Sequence, residues 1–165
     1  MMMGLSGHED FIVHLARLVR PKLFVKLGLF HCALFNRVVP YAEKSIGVDV
    51  QPEAGNYMKQ SQDTRFVKST TQEFAKELEA NPLQINMLFI DADHSQAAVL
   101  QNFQEFFPFV ASNGLILLHD SHLERAETVK PGSYELIPIP VSGGLTVCRK
   151  SQGISVGRVR YHPRI

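Results

Sequence analysis

Residues Ile85–Ser95 read INMLFIDADHS, an apolar run that is broken only by Asn86 and stops at Asp91. A strand in the middle of a parallel sheet has this profile, because helices cover both of its faces and little of it meets water. In open parallel sheets, ligands bind at the carboxyl ends of the strands. The polar residues after Ile90 are therefore predicted to line a binding site.

Segments with helical and strand-like patterns alternate on both sides of this run. The capping-box spacing from Ser6 to Glu9 predicts a first helix, which ends before Pro21 because residues that precede proline avoid the helical conformation. The segments before the central run are then predicted as a strand over Lys22–Leu29, a helix over Cys32–Ala42 that Pro40 ends or kinks, a strand over Ser45–Val50, a short helix over Pro52–Gln60, a strand over Thr64–Lys68 and a helix over Thr71–Ala80.

The chain after the central run predicts a helix over Ser95–Val110 that closes at Asn113-Gly114, since these two residues tolerate a left-handed turn. A buried strand over Leu115–Leu118 follows, and the glycine-rich residues 142–144 separate two further strands, Tyr134–Pro140 and Leu145–Arg149, as expected for an antiparallel hairpin.

Repeated alternation of helix and strand indicates a mostly parallel sheet with helices on both faces, because parallel neighbours need crossover connections. The predicted fold class is α/β. A chain of 165 residues suits a single domain over residues 1–165. The arginine-containing residues 153–165 are predicted as a tail or an edge strand.

The composition excludes several classes of function. Lys and Arg number 17 against 16 for Asp and Glu, so the net charge of +1 supplies no bulk attraction for nucleic acid or an anionic membrane. We find no window with the roughly 18 apolar residues of a membrane span and no secretory leader pattern. Two cysteines are too few for a disulfide framework. We therefore expect a cytoplasmic protein.

Gly28 and Asp49 each follow a predicted strand, 21 positions apart. A glycine between a strand and a helix allows close approach of a ligand to the backbone, and a carboxylate at the next strand end can accept hydrogen bonds from ribose hydroxyls. This pair points to a nucleoside site. Two alternatives stay open: Gly28 only forms a turn, and Asp49 only caps the helix near Pro52.

A cluster of acidic and imidazole side chains surrounds the ends of the last two parallel strands: Asp91, Asp93, His94, His119, Asp120 and His122. If these strands are neighbours, Asp91 and Asp120 project from one sheet edge and can hold a hard divalent cation. A neutral His94 can then serve as a general base. Alternatively, Asp93 and Ser95 cap the following helix and His119 packs against the sheet.

The segments LFIDADHSQAAVLQNFQEFFPFV and NGLILLHD resemble the class I S-adenosylmethionine-dependent methyltransferases. Within that class they are most similar to small-molecule and sugar O-methyltransferases, which carry a motif like IDGDHSYE and an HD pair after the next strand. The resemblance implies a Rossmann-like fold whose seven-stranded sheet ends in an antiparallel hairpin. It also implies S-adenosylmethionine as cofactor and a hydroxyl group of a small molecule as methyl acceptor.

The resemblance assigns cofactor binding to residues at the strand ends, which are Gly28, Phe30, Asp49, Thr70 and Asp91. It makes His94 the catalytic base. In metal-using relatives, the residues that correspond to Asp91 and Asp120 bind magnesium, with His119 standing where several relatives have a carboxylate. Imidazole is a poorer magnesium ligand than carboxylate.

The glycine loop departs from the family pattern, because relatives read approximately EIGVFHGGS where this chain reads KLGLFHCAL over Lys26–Leu34. Lys26 replaces an acid that orients the cofactor's ammonium group, and we expect it to weaken binding of a cationic sulfonium unless it turns away. Cys32 places a side chain where glycine admits the ligand, and Leu34 removes a hydroxyl. A second hypothesis follows: a binding or assembly module that has lost methyl transfer.

Two further expectations concern ligands and partners. About 20 residues precede the first predicted strand, and we therefore expect no added segment that would cover the substrate. We expect either an open site or a site that a second subunit of a homo-oligomer completes. A nicotinamide-dependent oxidoreductase is disfavoured because the chain has no G-x-G-x-x-G sequence.

Overall fold

The computed structural model describes residues 7–93, 95–119, 132–141 and 144–152. Within these ranges the helices are α1 (Gly7–Val19), α2 (Ala33–Val38), α3 (Thr71–Ala80) and α4 (Gln96–Phe106). The strands are β1 (Leu23–Leu27), β2 (Lys44–Asp49), β3 (Thr64–Lys68), β4 (Ile85–Ile90), β5 (Val110–His119), β6 (Tyr134–Ile139) and β7 (Leu145–Lys150). Short 3-10 turns cover Val39–Tyr41, Pro52–Tyr57 and Phe107–Phe109.

The described strands form one sheet in the order β3-β2-β1-β4-β5-β7-β6. The first five pair in parallel, and β7 pairs antiparallel with both β5 and β6. This arrangement confirms the predicted α/β, Rossmann-like fold with a C-terminal antiparallel hairpin. The strand order reverses direction at β1, with β2 on one side and β4 on the other, and ligands bind at such a switch point in open sheets.

Two apolar layers cover the sheet, because successive side chains of a strand point to opposite faces. Val25 and Leu27 of β1 belong to the layer that α3 and α4 cover, whose buried residues include Phe74 and Phe103. Phe24 of the same strand belongs to the layer under α1 and α2. All five residues of β1 are buried. The strand is thus enclosed on both faces, as its position in the middle of the sheet requires.

Most predicted elements agree with the structure, and those for β3, α3 and β4 agree at both ends. The helix predicted over Cys32–Ala42 is shorter, since α2 ends at Val38 and the chain tightens into a 3-10 turn that contains Pro40. Proline lacks the N–H that a continuing α-helix needs, which explains the change of helix type. The predicted tail over residues 153–165 lies outside the described residues.

The prediction that Asn113-Gly114 closes the fourth helix is wrong. Helix α4 ends at Phe106, and Pro108 lies in the 3-10 turn that follows. Asn113 does adopt a left-handed conformation, with φ of 61°, but within β5. The pairing of β5 with β4 shifts there, between Ile85 and Met87. The left-handed turn is therefore part of a strand irregularity, where an extra loop of backbone must be accommodated.

None of the described helices is long and apolar enough to cross a membrane.

A capping box starts α3, as the spacing of Thr70 and Glu73 predicts. The Glu73 N–H donates to Thr70 Oγ1 at 3.1 Å, and the Thr70 N–H donates to Glu73 Oε2 at 3.0 Å. The hydrogen bond from the Thr70 backbone, followed by that from its hydroxyl, lowers the pKa of Glu73. These bonds also fix Thr70 at the carboxyl end of β3, beside the predicted ligand site.

We predict that Glu73→Gln loses a pH-dependent part of the stability. Glutamine can still cap the helix, but it carries no charge. Because the folded-state pKa of Glu73 is lowered, the stabilisation from its charge is present above the unfolded-state value of about 4.3 and is lost as pH falls below it. Urea denaturation from pH 7 to pH 3.5 should therefore show the wild type more stable near neutrality and the difference shrinking in acid. A difference that is constant with pH contradicts this.

Candidate active site

The ends of three parallel strands are level at the centre of the sheet. Leu27, the last residue of β1, pairs with Val48 of β2 and with Ile90 of β4. The next residues along each strand therefore meet at one edge, which brings together Gly28, Asp49 and Asp91. The predicted convergence of these residues is confirmed by this register.

Gly28 lies where the backbone after β4 passes closest to β1. A Cβ at this position would stand 2.4 Å from the Asp91 carbonyl oxygen and 2.7 Å from the Ala92 Cα. Gly28 also has φ of 81°, a conformation that side chains disfavour. Glycine is thus required at position 28 by the turn and by the close approach of the backbone after β4. This supports the alternative that Gly28 forms a turn. Gly28 also lines both cavities described below.

Asp49 joins the glycine loop to the segment after β2. Its Oδ2 accepts hydrogen bonds from the N–H groups of Leu29 at 2.7 Å and Phe30 at 3.3 Å. Its Oδ1 accepts from the Gln51 N–H at 2.9 Å. Gln51 is the N-cap residue of the 3-10 turn Pro52–Tyr57, and no side chain caps that turn, so the alternative that Asp49 only caps this element is not supported. Each carboxylate oxygen can accept two hydrogen bonds, and Oδ1 keeps capacity for a ligand hydroxyl.

A crevice with two lobes lies over these strand ends. The larger lobe, of about 550 Å³, runs between the glycine loop and the 3-10 turn after β2, and the smaller lobe, of about 310 Å³, runs between the ends of β2 and β3 and the start of α4. Both lobes are lined by Gly28, Asp49 and Ala92. The lobes are therefore adjacent, and each falls in the size range of small-molecule sites. Thr70 lines the smaller lobe, and Phe30 lines the larger.

The positive charge of Lys26 is compensated by an ion pair with Asp91. Its side chain is only 4% exposed, and Nζ lies 2.8 Å from Oδ2 of Asp91. The ammonium also donates to the Gly28 carbonyl oxygen and lies 4.8 Å from the centre of the Phe89 ring. The ion pair neutralises both partners locally, so the expected repulsion of a cationic ligand is offset by Asp91.

The second oxygen of Asp91 is also in use. Oδ1 lies 2.9 Å from Nδ1 of His119, whose ring stands 3.8 Å from the ring of His8. His94 and Asp120, the predicted base and metal ligand, lie outside the described residues. Among the residues that the structure does describe, no cluster of three histidine, cysteine or acidic side chains could hold a metal ion. An aspartate paired with an ammonium and an imidazole does not fit the oxygen-rich shell that magnesium prefers.

Cys32 does not enter the crevice, and the expectation that it occupies the ligand's space is wrong. Its side chain is fully buried, and Sγ donates to the Ala54 carbonyl oxygen at 3.2 Å. Burial raises the pKa of this thiol, and the Lys26 charge only partly opposes that effect. Leu34 lies in the same apolar layer. The backbone of Cys32 is left-handed, with φ of 56°.

Two site residues, Tyr57 and Asn102, were not assigned by the sequence patterns. Tyr57 is exposed, its ring lies 4.8 Å from that of His31, and His31 in turn lies 3.9 Å from the ring of Phe30. This row of rings lines the larger lobe. Asn102 lines the smaller lobe. It follows Ala98 by four positions on the packed face of α4, and a polar residue within an apolar stripe is a signal that sequence inspection can find.

We predict that Lys26→Met destabilises the protein by about 3 kcal/mol, because it leaves the partly buried charge of Asp91 without its cation. The double variant Lys26→Met with Asp91→Asn should regain part of the loss, since no unpaired charge remains. Urea denaturation at pH 7 measures both, and Lys22→Met, at an exposed position, is the matched control. Equal unfolding midpoints for Lys26→Met and the wild type contradict the ion pair's structural role.

Comparison with known proteins places this site in a family. No curated protein matches the sequence. Solved structures with similar folds include an O-methyltransferase from Bacillus cereus in complex with SAH (TM-score 0.70, 9% identity, 87% of this chain and 80% of that chain covered), an SAH-bound methyltransferase from Podospora anserina (0.69, 11%, 87% and 78%) and a methyltransferase from Geobacter sulfurreducens (0.69, 15%, 86% and 78%). At these identities the likeness shows the fold.

A sequence model of the family described as "Methyltransferase domain" matches residues 25–121. The matched range covers more than half of the 165 residues and contains Gly28, Asp49 and Asp91. From the glycine turn, the carboxylate at the end of β2 and this match together, we conclude that the chain belongs to the methyltransferase-domain family.

Proposed function

We propose that the protein transfers a methyl group from S-adenosylmethionine to a hydroxyl group of a small molecule. The observation that carries the proposal is the two-lobed crevice whose lobes meet at Gly28 and Asp49. Two adjoining lobes suit a nucleoside in one and the reacting groups with an acceptor in the other. The SAH-bound structures of similar fold and the resemblance of the DADHS and HD segments support this choice of cofactor and reaction.

The proposed cofactor contacts come from the loops at the strand ends. Asp49 would accept a hydrogen bond from a ribose hydroxyl through the remaining capacity of Oδ1, while its bonds to Leu29 and Phe30 hold the glycine loop in place. Gly28 would let the ligand approach the backbone. Phe30, which is 79% exposed, would cover the ligand from the larger lobe, and Thr70 would border it in the smaller.

The chemistry of the proposed reaction needs alignment and removal of one proton. S-adenosylmethionine supplies a methyl group on a cationic sulfur. His94, three positions after Asp91, would accept the hydroxyl proton as the acceptor oxygen attacks. Asp91 would contribute by position, since Lys26 and His119 hold both of its oxygens. No step is assigned to magnesium, because the described part of the site does not fit that ion.

One observation favours the second candidate function, a binding or assembly module without turnover. The pairing of Lys26 with Asp91 takes up a carboxylate that the family resemblance assigns to the cofactor and metal. Such a module would bind the nucleoside without forming product. The two functions differ in turnover.

For either function we propose that the protein is cytoplasmic. Its two cysteines, which are both free and buried, support this.

Calorimetric titration with S-adenosylhomocysteine tests the cofactor proposal. We expect saturable binding to the wild type and a loss of affinity of about tenfold or more in Asp49→Ala, because hydrogen bonds to a charged group are lost and the glycine loop is released. Asp63→Ala, an exposed carboxylate that lines neither lobe, should bind as the wild type does. Absence of heat with millimolar ligand contradicts the proposal.

We predict that His94→Gln lowers turnover by about 10²- to 10⁴-fold while affinity for S-adenosylhomocysteine changes little, because only proton removal is lost. The assay is formation of S-adenosylhomocysteine from S-adenosylmethionine with a panel of small phenols and sugars as acceptors. His14→Gln, on the exposed side of α1, is the control. Full activity in His94→Gln refutes the role of His94, and binding without turnover in the wild type supports the module.

A further inference from the structure

The magnesium site that the family resemblance implies already contains a cation. Lys26 lies within β1, whose five residues are all buried, and its Nζ is 2.8 Å from Oδ2 of Asp91. The same ammonium donates to the Gly28 carbonyl oxygen and lies 4.8 Å from the centre of the Phe89 ring. A charge enclosed in this way stays beside the carboxylate, because separating the two would leave each of them unpaired in a largely buried place.

The two oxygens of Asp91 have separate partners. Oδ1 lies 2.9 Å from Nδ1 of His119. An ionised carboxylate only accepts hydrogen bonds, so Nδ1 carries the proton of this bond and has no lone pair for a metal ion. Oδ2 is the oxygen that Lys26 holds. A metal ion bound to Asp91 would therefore lie beside a hydrogen-bond donor at either oxygen.

Charge excludes a divalent ion from Oδ2 in particular. Magnesium binds a carboxylate oxygen at about 2.1 Å, so an ion on Oδ2 would lie within about 5 Å of the Lys26 ammonium. Positive charges repel at this distance, and the repulsion is stronger at a partly buried site than in water, because the effective dielectric constant is lower. Asp91 supplies one negative charge, which Lys26 already neutralises. The pair thus has no net charge with which to attract a divalent cation.

We propose that Lys26 takes the place of a divalent cation at Asp91, so that the site works without a metal ion there. The ammonium neutralises this carboxylate and fixes the direction of its side chain. It also ties Asp91 to the carbonyl oxygen of Gly28, at the start of the glycine loop. The inference goes beyond the proposed function, because it concerns the cation at Asp91 whether or not methyl transfer occurs.

Titration with Mn²⁺ at pH 7, followed by electron paramagnetic resonance of the free ion, tests the inference. Mn²⁺ prefers the same oxygen ligands as Mg²⁺. Lys26→Met should bind Mn²⁺ about tenfold or more tightly than the wild type, because Oδ2 of Asp91 then lacks its cation. The gain should disappear in the double variant Lys26→Met with Asp91→Asn. Lys22→Met removes an exposed lysine and changes the net charge equally, so it should bind Mn²⁺ as the wild type does.

A second measurement compares the calorimetric affinity of the wild type for S-adenosylhomocysteine in buffers that contain magnesium or EDTA. The two dissociation constants should agree within about twofold, because no metal ion at Asp91 contributes to the site. Absence of binding in both buffers defeats the proposed function alone, since the Mn²⁺ titration does not depend on the cofactor and still decides between Lys26 and a metal ion.

Three outcomes overturn the inference. The first is saturable binding of Mn²⁺ to the wild type that Asp91→Asn abolishes. The second is a Lys26→Met variant that binds Mn²⁺ no better than Lys22→Met does. The third is an affinity for S-adenosylhomocysteine that rises about tenfold or more with magnesium. Should Lys26→Met not fold, Lys26→Gln keeps a hydrogen-bond donor without the charge, and the same gain in Mn²⁺ affinity is expected of it.

Discussion

The close passage of the backbone after β4 across Gly28 is the constraint on which the site depends. With 2.4 Å between the Asp91 carbonyl oxygen and a Cβ built at Gly28, no other residue fits without moving backbone. Hydrogen bonds from the Gly28 N–H to Val48 and from the Asp91 N–H to Leu27 extend the parallel pairing past the strand ends. The crevice exists because three strands end level at this point and their loops diverge from it.

Charge within this frame is balanced between residues that are far apart in sequence. Without Asp91, Lys26 would be an isolated buried cation. Asp91 lies between the Lys26 ammonium and the His119 imidazole, and the charges of Lys26 and Asp91 each offset the desolvation of the other. Asp49 is stabilised differently, by backbone N–H groups of the glycine loop. The site thus holds one carboxylate fixed by a cation and another fixed by amides, and the second keeps more capacity for a ligand.

Local patterns predicted the fold well. The apolar runs of β1 and β4, the capping box of Thr70 and Glu73, and the break at Pro40 all act within a few residues, and the structure confirms them. The left-handed Asn113 shows the limit of such patterns: its conformation was anticipated, but its place within β5 depends on pairing with β4. The positions of Gly28, Asp49 and Asp91 at one edge followed from strand order, which parallel topology restricts to few choices.

What the sequence by itself determined is therefore the α/β class, the strand ends that carry the candidate ligands, and the family, because periodicity, caps and motifs are local properties of the chain. Only the tertiary structure decided that Lys26 turns to Asp91, that Cys32 turns into the core, and that Asn102 reaches the smaller lobe. Lys26 and Asp91 are separated by 65 positions, and their contact depends on side-chain direction and on the space left by packing. No pattern along one chain specifies those two quantities.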